Sequence, residues 1–206
     1  MSVSGLERGL AVHRDALSAC TACRQQVIGT PVISLARRPR VMLVGQAPGQ
    51  VEVRDQRPFA GRAGKTLFSW LARAGIEEQE ARDRIYIAAI TRCYPGPSPG
   101  GRGDRVPSPA ERQTCSRWLE AELGIIGPGL IIPVGRLAID RILGKAPLEQ
   151  VIGKKHRVTI HSRMTSIVPL PHPSGASSWV HGPGHAELLN TALDILHVRL
   201  YETLYS

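Results

Sequence analysis

The sequence predicts an α/β fold, three layers deep, with a central and mostly parallel four-stranded sheet between helices. Two observations carry this. Four short, β-branched-rich apolar runs, 41–44, 84–90, 130–135 and 166–170, have the character of strands buried on both faces. Between them lie segments whose apolar residues recur at helical spacing, and strands alternating with helices imply parallel pairing through right-handed crossovers. Hydrophobic residues make up 42% of 206 residues, with no charged or low-complexity half to split off, so residues 1–206 read as a single domain.

In chain order, Leu6 to Ala19 reads as a helix with Leu6, Leu10 and Leu17 on compatible faces, ending at Cys20 and Cys23. Arg37-Arg38-Pro39-Arg40 reads as a solvated turn, with an early phosphate contact as the alternative, before the first strand, Val41 to Val44. That strand delivers Gly45-Gln46-Ala47-Pro48-Gly49 to the carboxyl edge of the sheet, where open α/β folds bind ligands. The glycines there let a flat ligand lie against bare backbone, Pro48 stiffens the turn, and Phe59 follows as an aromatic that can stack. Ala63 to Ala74 reads as a helix with Leu67, Trp70 and Leu71 in the core, stopped at Gly75. The second strand, 84–90, carries Thr91-Arg92-Cys93 to the sheet edge.

Tyr94 to Pro109 holds five prolines and four glycines and must be a loop. Arg102 and Arg105 among those glycines suit phosphate contact. A helix starts near Pro109 and carries Cys115, Trp118, Leu119 and Leu123. The third strand, 130–135, precedes a helix patterned by Leu137, Ile139, Ile142 and Leu143. The fourth, 166–170, ends in Pro171-His172-Pro173-Ser174-Gly175, which should open on the same edge as the turn at Gln46. His161, in the basic run from Lys154, reads as surface or structural. Leu189, Ala192, Leu193, Leu196 and Leu200 stripe a C-terminal helix.

Lys plus Arg exceed Asp plus Glu, 26 against 17, giving a formal charge of +9 and a sequence pI near 10.0. Such a balance argues for a polyanionic partner, nucleic acid before membrane, because no amphipathic basic helix or membrane-length apolar run is visible. The first residues lack a signal-peptide pattern, so a cytoplasmic protein is expected; a monomer is expected too. Cys20 and Cys23 form a C-x2-C pair, whereas Cys93 and Cys115 are separated by 21 residues. In a reducing compartment such a set points to metal ligands rather than disulfides, and four thiolates suit either structural zinc or a cubane cluster. The wide second pair leans toward iron–sulfur.

Together these residues resemble the iron–sulfur branch of the uracil-DNA glycosylase superfamily, families four and five. Gly45 to Gly49 is similar to that branch's first motif, Pro58-Phe59-Ala60-Gly61-Arg62-Ala63-Gly64 to its uracil-stacking segment, and His172-Pro173-Ser174 to its second motif. The four cysteines stand in the family order, and the similarity runs from about Cys20 to the C-terminal helix. The resemblance implies a structural 4Fe-4S cluster on Cys20, Cys23, Cys93 and Cys115, and a monofunctional glycosylase that hydrolyses the N-glycosidic bond of uracil, or another deaminated base, in DNA. The alternative is a non-catalytic module that recognises damaged bases or single-stranded DNA.

The implied site comprises catalytic Gln46, Glu52 and His172; base contacts from Gly45, Gln46, Ala47, Phe59, Ala89 and His172; and DNA contacts from Arg62, Lys65, Arg102, Arg105, Ser174 and Trp179. His172 is the expected donor to the base oxygen, and Glu52, ahead of Asp55, the expected acceptor of a water proton. The chain also departs from family four: Gln46 replaces a Glu, Val53 an Asp, and Ala89 the base-reading Asn, a position that family five keeps small. The last motif, at 174–179, lacks the usual leucine wedge, and the loop between Cys93 and Cys115 is longer than usual. That loop holds none of the nucleophilic His that the covalent uracil-trapping relatives present there.

Overall fold

The computed structural model describes residues 3–100, 103–174 and 178–205. Five short strands form one sheet: β1 (Val41–Gly45), β2 (Ile85–Ala89), β3 (Leu130–Pro133), β4 (His156–Ile160) and β5 (Arg163–Ile167), in the order β2-β1-β3-β5-β4. The first four in that row are parallel neighbours, and β4 pairs antiparallel to β5 at the edge.

The expected four-stranded sheet is therefore corrected to five. The hairpin is hard to see in the sequence because His161 and Ser162 make its turn with φ of 45° and 64°. A two-residue turn needing left-handed backbone at both positions normally announces itself with Asn-Gly or Gly. The strand β5 also begins earlier than expected, at Arg163, and ends before Pro169, after which Leu170 makes a single parallel bridge to Val134.

Because side chains alternate along a strand, each one feeds both helical layers. Val41, Leu43, Ile85, Ile87, Leu130 and Ile132 point to one face, where they meet α3 (Arg62–Arg73) and α8 (His185–Leu204) through Leu67, Leu71, Leu193 and Leu196. Met42, Val44, Tyr86, Ala88 and Ile131 point to the other. There they meet α1 (Val3–Ser18), α5 (Pro109–Ile126) and α6 (Arg136–Leu143) through Leu10, Leu119, Leu123 and Ala138. Three layers result, as expected. Short helices α2 (Gln50–Asp55), α4 (Glu78–Arg84) and α7 (Leu148–Val151) complete the connections, and a 3-10 turn spans Ser178–His181.

From β1 the chain crosses to β2 on one side and then returns past β1 to β3 on the other. The strand order thus reverses at the carboxyl end of β1, the place where doubly wound sheets leave a crevice. No helix is long and apolar enough to cross a membrane among the described residues.

Candidate functional site

That crevice is an open pocket of about 410 Å³ lined by Gly45 to Gly49, Glu52, Phe59, Ala88, Ala89, Asp104, His172 and Ser174, among others. The two sheet-edge turns predicted to converge do so.

Phe59 crosses the end of β1 so closely that a β-carbon on Gly45 would stand 2.9 Å from its ring. Its backbone is held in the left-handed region at φ 50°, unusual for a bulky residue. Three contacts impose this. The Phe59 carbonyl sits where a β-carbon of Gly64 would be, 1.8 Å away, so only glycine at the start of α3 admits it. Arg82, on α4, donates from Nη1 to the Pro58 carbonyl at 2.7 Å and from Nη2 to the Phe59 carbonyl at 3.1 Å. The guanidinium is itself fixed by Glu78 at 2.8 Å and by the Phe68 ring, 4.2 Å beneath it. Sequence reasoning missed Arg82, for nothing marks one arginine in an exposed-looking charged helix as a backbone clamp.

Glu52 completes the frame. Its Oε2 accepts the Gly49 N–H at 3.0 Å and its Oε1 accepts the Gly61 N–H at 2.9 Å. One carboxylate thereby caps α2 and ties the first turn to the stacking segment. Both oxygens of the expected proton acceptor are engaged with backbone. Asp55 does not line the pocket and instead pairs with its neighbour Arg54 at 2.6 Å.

His172 enters from the turn after β5 and packs against Gly135, where a β-carbon would come within 2.9 Å of its ring. Its Nδ1 accepts the Ser174 N–H at 3.2 Å and lies 2.8 Å from Ser174 Oγ. A ring nitrogen that accepts a backbone N–H carries no proton, so the hydrogen of the neutral ring resides on Nε2. Burial lowers the His172 pKa, which keeps the ring neutral. Ser174, expected as a DNA contact, also orients the histidine. The Gln46 side chain and the backbone N–H groups of Gln46 and Ala47 line the pocket and make no hydrogen bond among the described residues. Ala89 pairs with Gly45 in register and leaves space, not an amide, at that wall.

Of the expected DNA contacts, Arg62 and Lys65 are exposed at the N-terminus of α3, with no ion-pair partner among the described residues. The Arg105 guanidinium makes a two-pronged bond to buried Glu111, at 2.7 and 2.6 Å, and reaches the Gln26 carbonyl at 2.8 Å. The pairing lowers Glu111 to about 2 and anchors the loop to the capped start of α5. The Trp179 ring stacks on His185 with centroids 4.2 Å apart and packs against the core. Arg102 lies outside the described residues. His161 forms the hairpin turn, consistent with a structural reading.

A second pocket, about 240 Å³, is lined by all four cysteines, together with Arg92 and Trp118. Among the described residues no group of three or more potential ligands stands close enough to hold a single metal ion. The donor chemistry nevertheless fits an iron–sulfur cluster. Burial, with Cys115, Cys20 and Cys23 as further causes, pushes the Cys93 thiol up to about 12, so four thiolates need cationic metal among them to coexist. Arg117 Nη2 lies 3.8 Å from Cys20 Sγ, and a backbone N–H of Arg92 reaches Cys115, the hydrogen bonds that clusters use around their sulfurs. Arg92 also spans the two pockets: its Nη1 donates to the Ala89 carbonyl at 2.5 Å, and its Nη2 pairs with Glu122, which accepts Tyr86 Oη–H at 2.9 Å and lies 3.0 Å from His13 Nε2.

Comparison with known proteins matches residues 34–194 to the family model of the uracil DNA glycosylase superfamily. A Type-4 uracil-DNA glycosylase of Thermotoga maritima is 29% identical over 168 residues, covering 75% of this chain and 82% of that protein. One from Archaeoglobus fulgidus is 30% identical over 142 residues, 66% of each chain. A Type-5 uracil-DNA glycosylase of Mycobacterium tuberculosis is 37% identical over 116 residues, 50% of this chain and 41% of that protein.

Proposed function

The chain belongs to the uracil DNA glycosylase superfamily, and from that premise we propose that it removes uracil from DNA with the pocket between the turns at Gln46 and His172. The observation that carries the reading is the pairing of a fixed aromatic wall, Phe59, with a neutral histidine whose Nε2–H is free to donate.

An enzyme that cuts a base from its sugar must take the nucleotide out of the stack. The flipped base stacks on Phe59 and lays its edge along the free N–H groups of Gln46 and Ala47. As the C1′–N1 bond stretches, its electron pair flows into the base and charge gathers on the uracil oxygen beside N1. A neutral N–H aimed at that oxygen stabilises the developing charge more than the ground state, which is how His172 lowers the barrier. Phe59 and Arg82 preset the base plane, and Ser174 presets the histidine.

The pocket lining supports monofunctional hydrolysis, since it contains no lysine among the described residues to form a Schiff base with the sugar. Ala89, small where an amide would read the pyrimidine edge, makes the pocket permissive, so other deaminated bases are candidate substrates. Cys20, Cys23, Cys93 and Cys115 would hold a 4Fe-4S cluster, which supplies a structural cross-link rather than chemistry. It would join the end of α1, the end of β2 and α5. Arg62 and Lys65 contact the DNA phosphates beside the pocket.

An excision assay on single-stranded and duplex oligonucleotides carrying uracil, hypoxanthine or xanthine tests this. Abasic product from the uracil strands is expected. Intact DNA binding without product from any of them would mean a recognition module.

A further inference from the structure

Resting on the glycosylase reading above, we propose that Asp104, carried over the pocket by the loop between β2 and α5, positions the attacking water and accepts its proton. A water that captures the sugar must be oriented and must lose a proton, and Gln46 can orient water but cannot take a proton. Two carboxylates line the pocket, Glu52 and Asp104. Glu52 already spends one oxygen on each of two backbone N–H groups, and displacing it would release the turn from the stacking segment.

Asp104 is differently placed. Its side chain makes no ion pair among the described residues, and its hydrogen-bond partner is the Tyr94 hydroxyl. A β-carbon on Gly49 would stand 2.8 Å from Asp104 Oδ2 and 2.8 Å from Glu52 Oε2. The carboxylate therefore hangs directly over the Gly45 to Gly49 turn, in space that the absent Gly49 side chain leaves open. It is also held there. On one side the Ser98 N–H donates to the Gly103 carbonyl at 2.9 Å; on the other the Arg105 N–H donates to the Gly96 carbonyl at 3.0 Å, and the Arg105 guanidinium is locked onto Glu111. The residues flanking Asp104 are thus pinned to Ser98, Gly96 and Glu111.

In the step itself, the C1′–N1 bond breaks and its electron pair leaves with the base, where His172 Nε2–H faces the charged oxygen. A water lone pair forms the new bond to C1′, and one proton of that water passes to the Asp104 carboxylate. The products are an abasic sugar with a C1′ hydroxyl and a uracil anion that is protonated by solvent on release. Asp104 returns its proton to solvent.

The test is single-turnover excision from a uracil oligonucleotide by wild type, Asp104→Asn, Asp104→Ala and Asp104→Glu, alongside affinity for an uncleavable 2′-fluorinated deoxyuridine strand and thermal melting of each variant. Asp104→Asn and Asp104→Ala should lose about 100-fold or more in rate, with affinity and melting temperature unchanged; Asp104→Glu should recover part of the loss. Sodium formate should restore rate to Asp104→Ala by replacing the missing carboxylate, which no structural role would predict. A wild-type rate in Asp104→Asn, or a loss matched by affinity or melting and insensitive to formate, would overturn the assignment. Wild type that releases no uracil would instead sink the glycosylase reading, and this one with it.

Discussion

Arg82 grips the carbonyl of Phe59 at 3.1 Å and so holds a phenylalanine in backbone space that favours glycine. The ring proposed to stack on the base is therefore set from beneath, by a residue that does not line the pocket. Arg82→Ala should let Phe59 relax and forfeit much of a stacking interaction on the order of 1–3 kcal/mol. A fall of about tenfold in single-turnover excision, with the global fold retained by circular dichroism, is the expected result.

Gly64→Ala attacks the same arrangement from the other side. A methyl group 1.8 Å from the Phe59 carbonyl cannot be accommodated without moving backbone, and the overpacking should cost about 1–3 kcal/mol or more. Chemical denaturation would read the stability loss, and excision should fall with it.

Glu52 illustrates how far the sequence could be read. Its presence near the site was legible from the motif, but its role was not, because the two N–H groups it accepts belong to Gly49 and Gly61, nine residues apart from it at most. Glu52→Gln replaces one accepting oxygen with a donor facing an N–H. The variant should lose about 1–3 kcal/mol of stability, seen as a lower melting temperature, together with activity. Full stability with activity abolished would return Glu52 to the chemistry.

Most of the fold was visible in the periodicity of the apolar runs, since strands buried on both faces and a striped helix such as α8 declare themselves locally. The β4–β5 hairpin was hidden by the His161-Ser162 turn. At the site, Gln46, Phe59 and His172 were legible because turns after buried strands place them at one sheet edge. For Arg105, Trp179 and Ser174, each chemically suited to DNA, nothing in the sequence marked the contact each makes within its own segment, with Glu111, His185 and His172, two to six residues away. Arg82 and Asp104 gave no local signal, since the carbonyls that Arg82 holds and the turn that Asp104 faces belong to other segments.

His172→Ala should slow excision by about 10²–10³ while DNA affinity stays near that of wild type. The pH dependence has a definite sign. Burial lowers the His172 pKa beneath the ordinary 6.5, so the folded ring remains a neutral donor as pH falls through that value and loses this state only at more acidic pH. Imidazole NMR signals of His172 should titrate below those of exposed histidines; titration at or above 6.5 would contradict the lowering by burial.

The four cysteines make a separable prediction. Purified protein should be brown and contain iron and sulfide, and Cys93→Ser or Cys115→Ser should lose both along with thermal stability. Colourless protein containing zinc would replace the cluster without altering the pocket.

A crystal structure of the protein with uracil bound would decide most between a working base pocket and an unrelated crevice. The base should lie stacked on the Phe59 ring, with His172 Nε2 within hydrogen-bond distance of the oxygen adjacent to N1. Uracil seated away from Phe59, or with His172 turned from it, would leave the proposed chemistry without its wall or its donor.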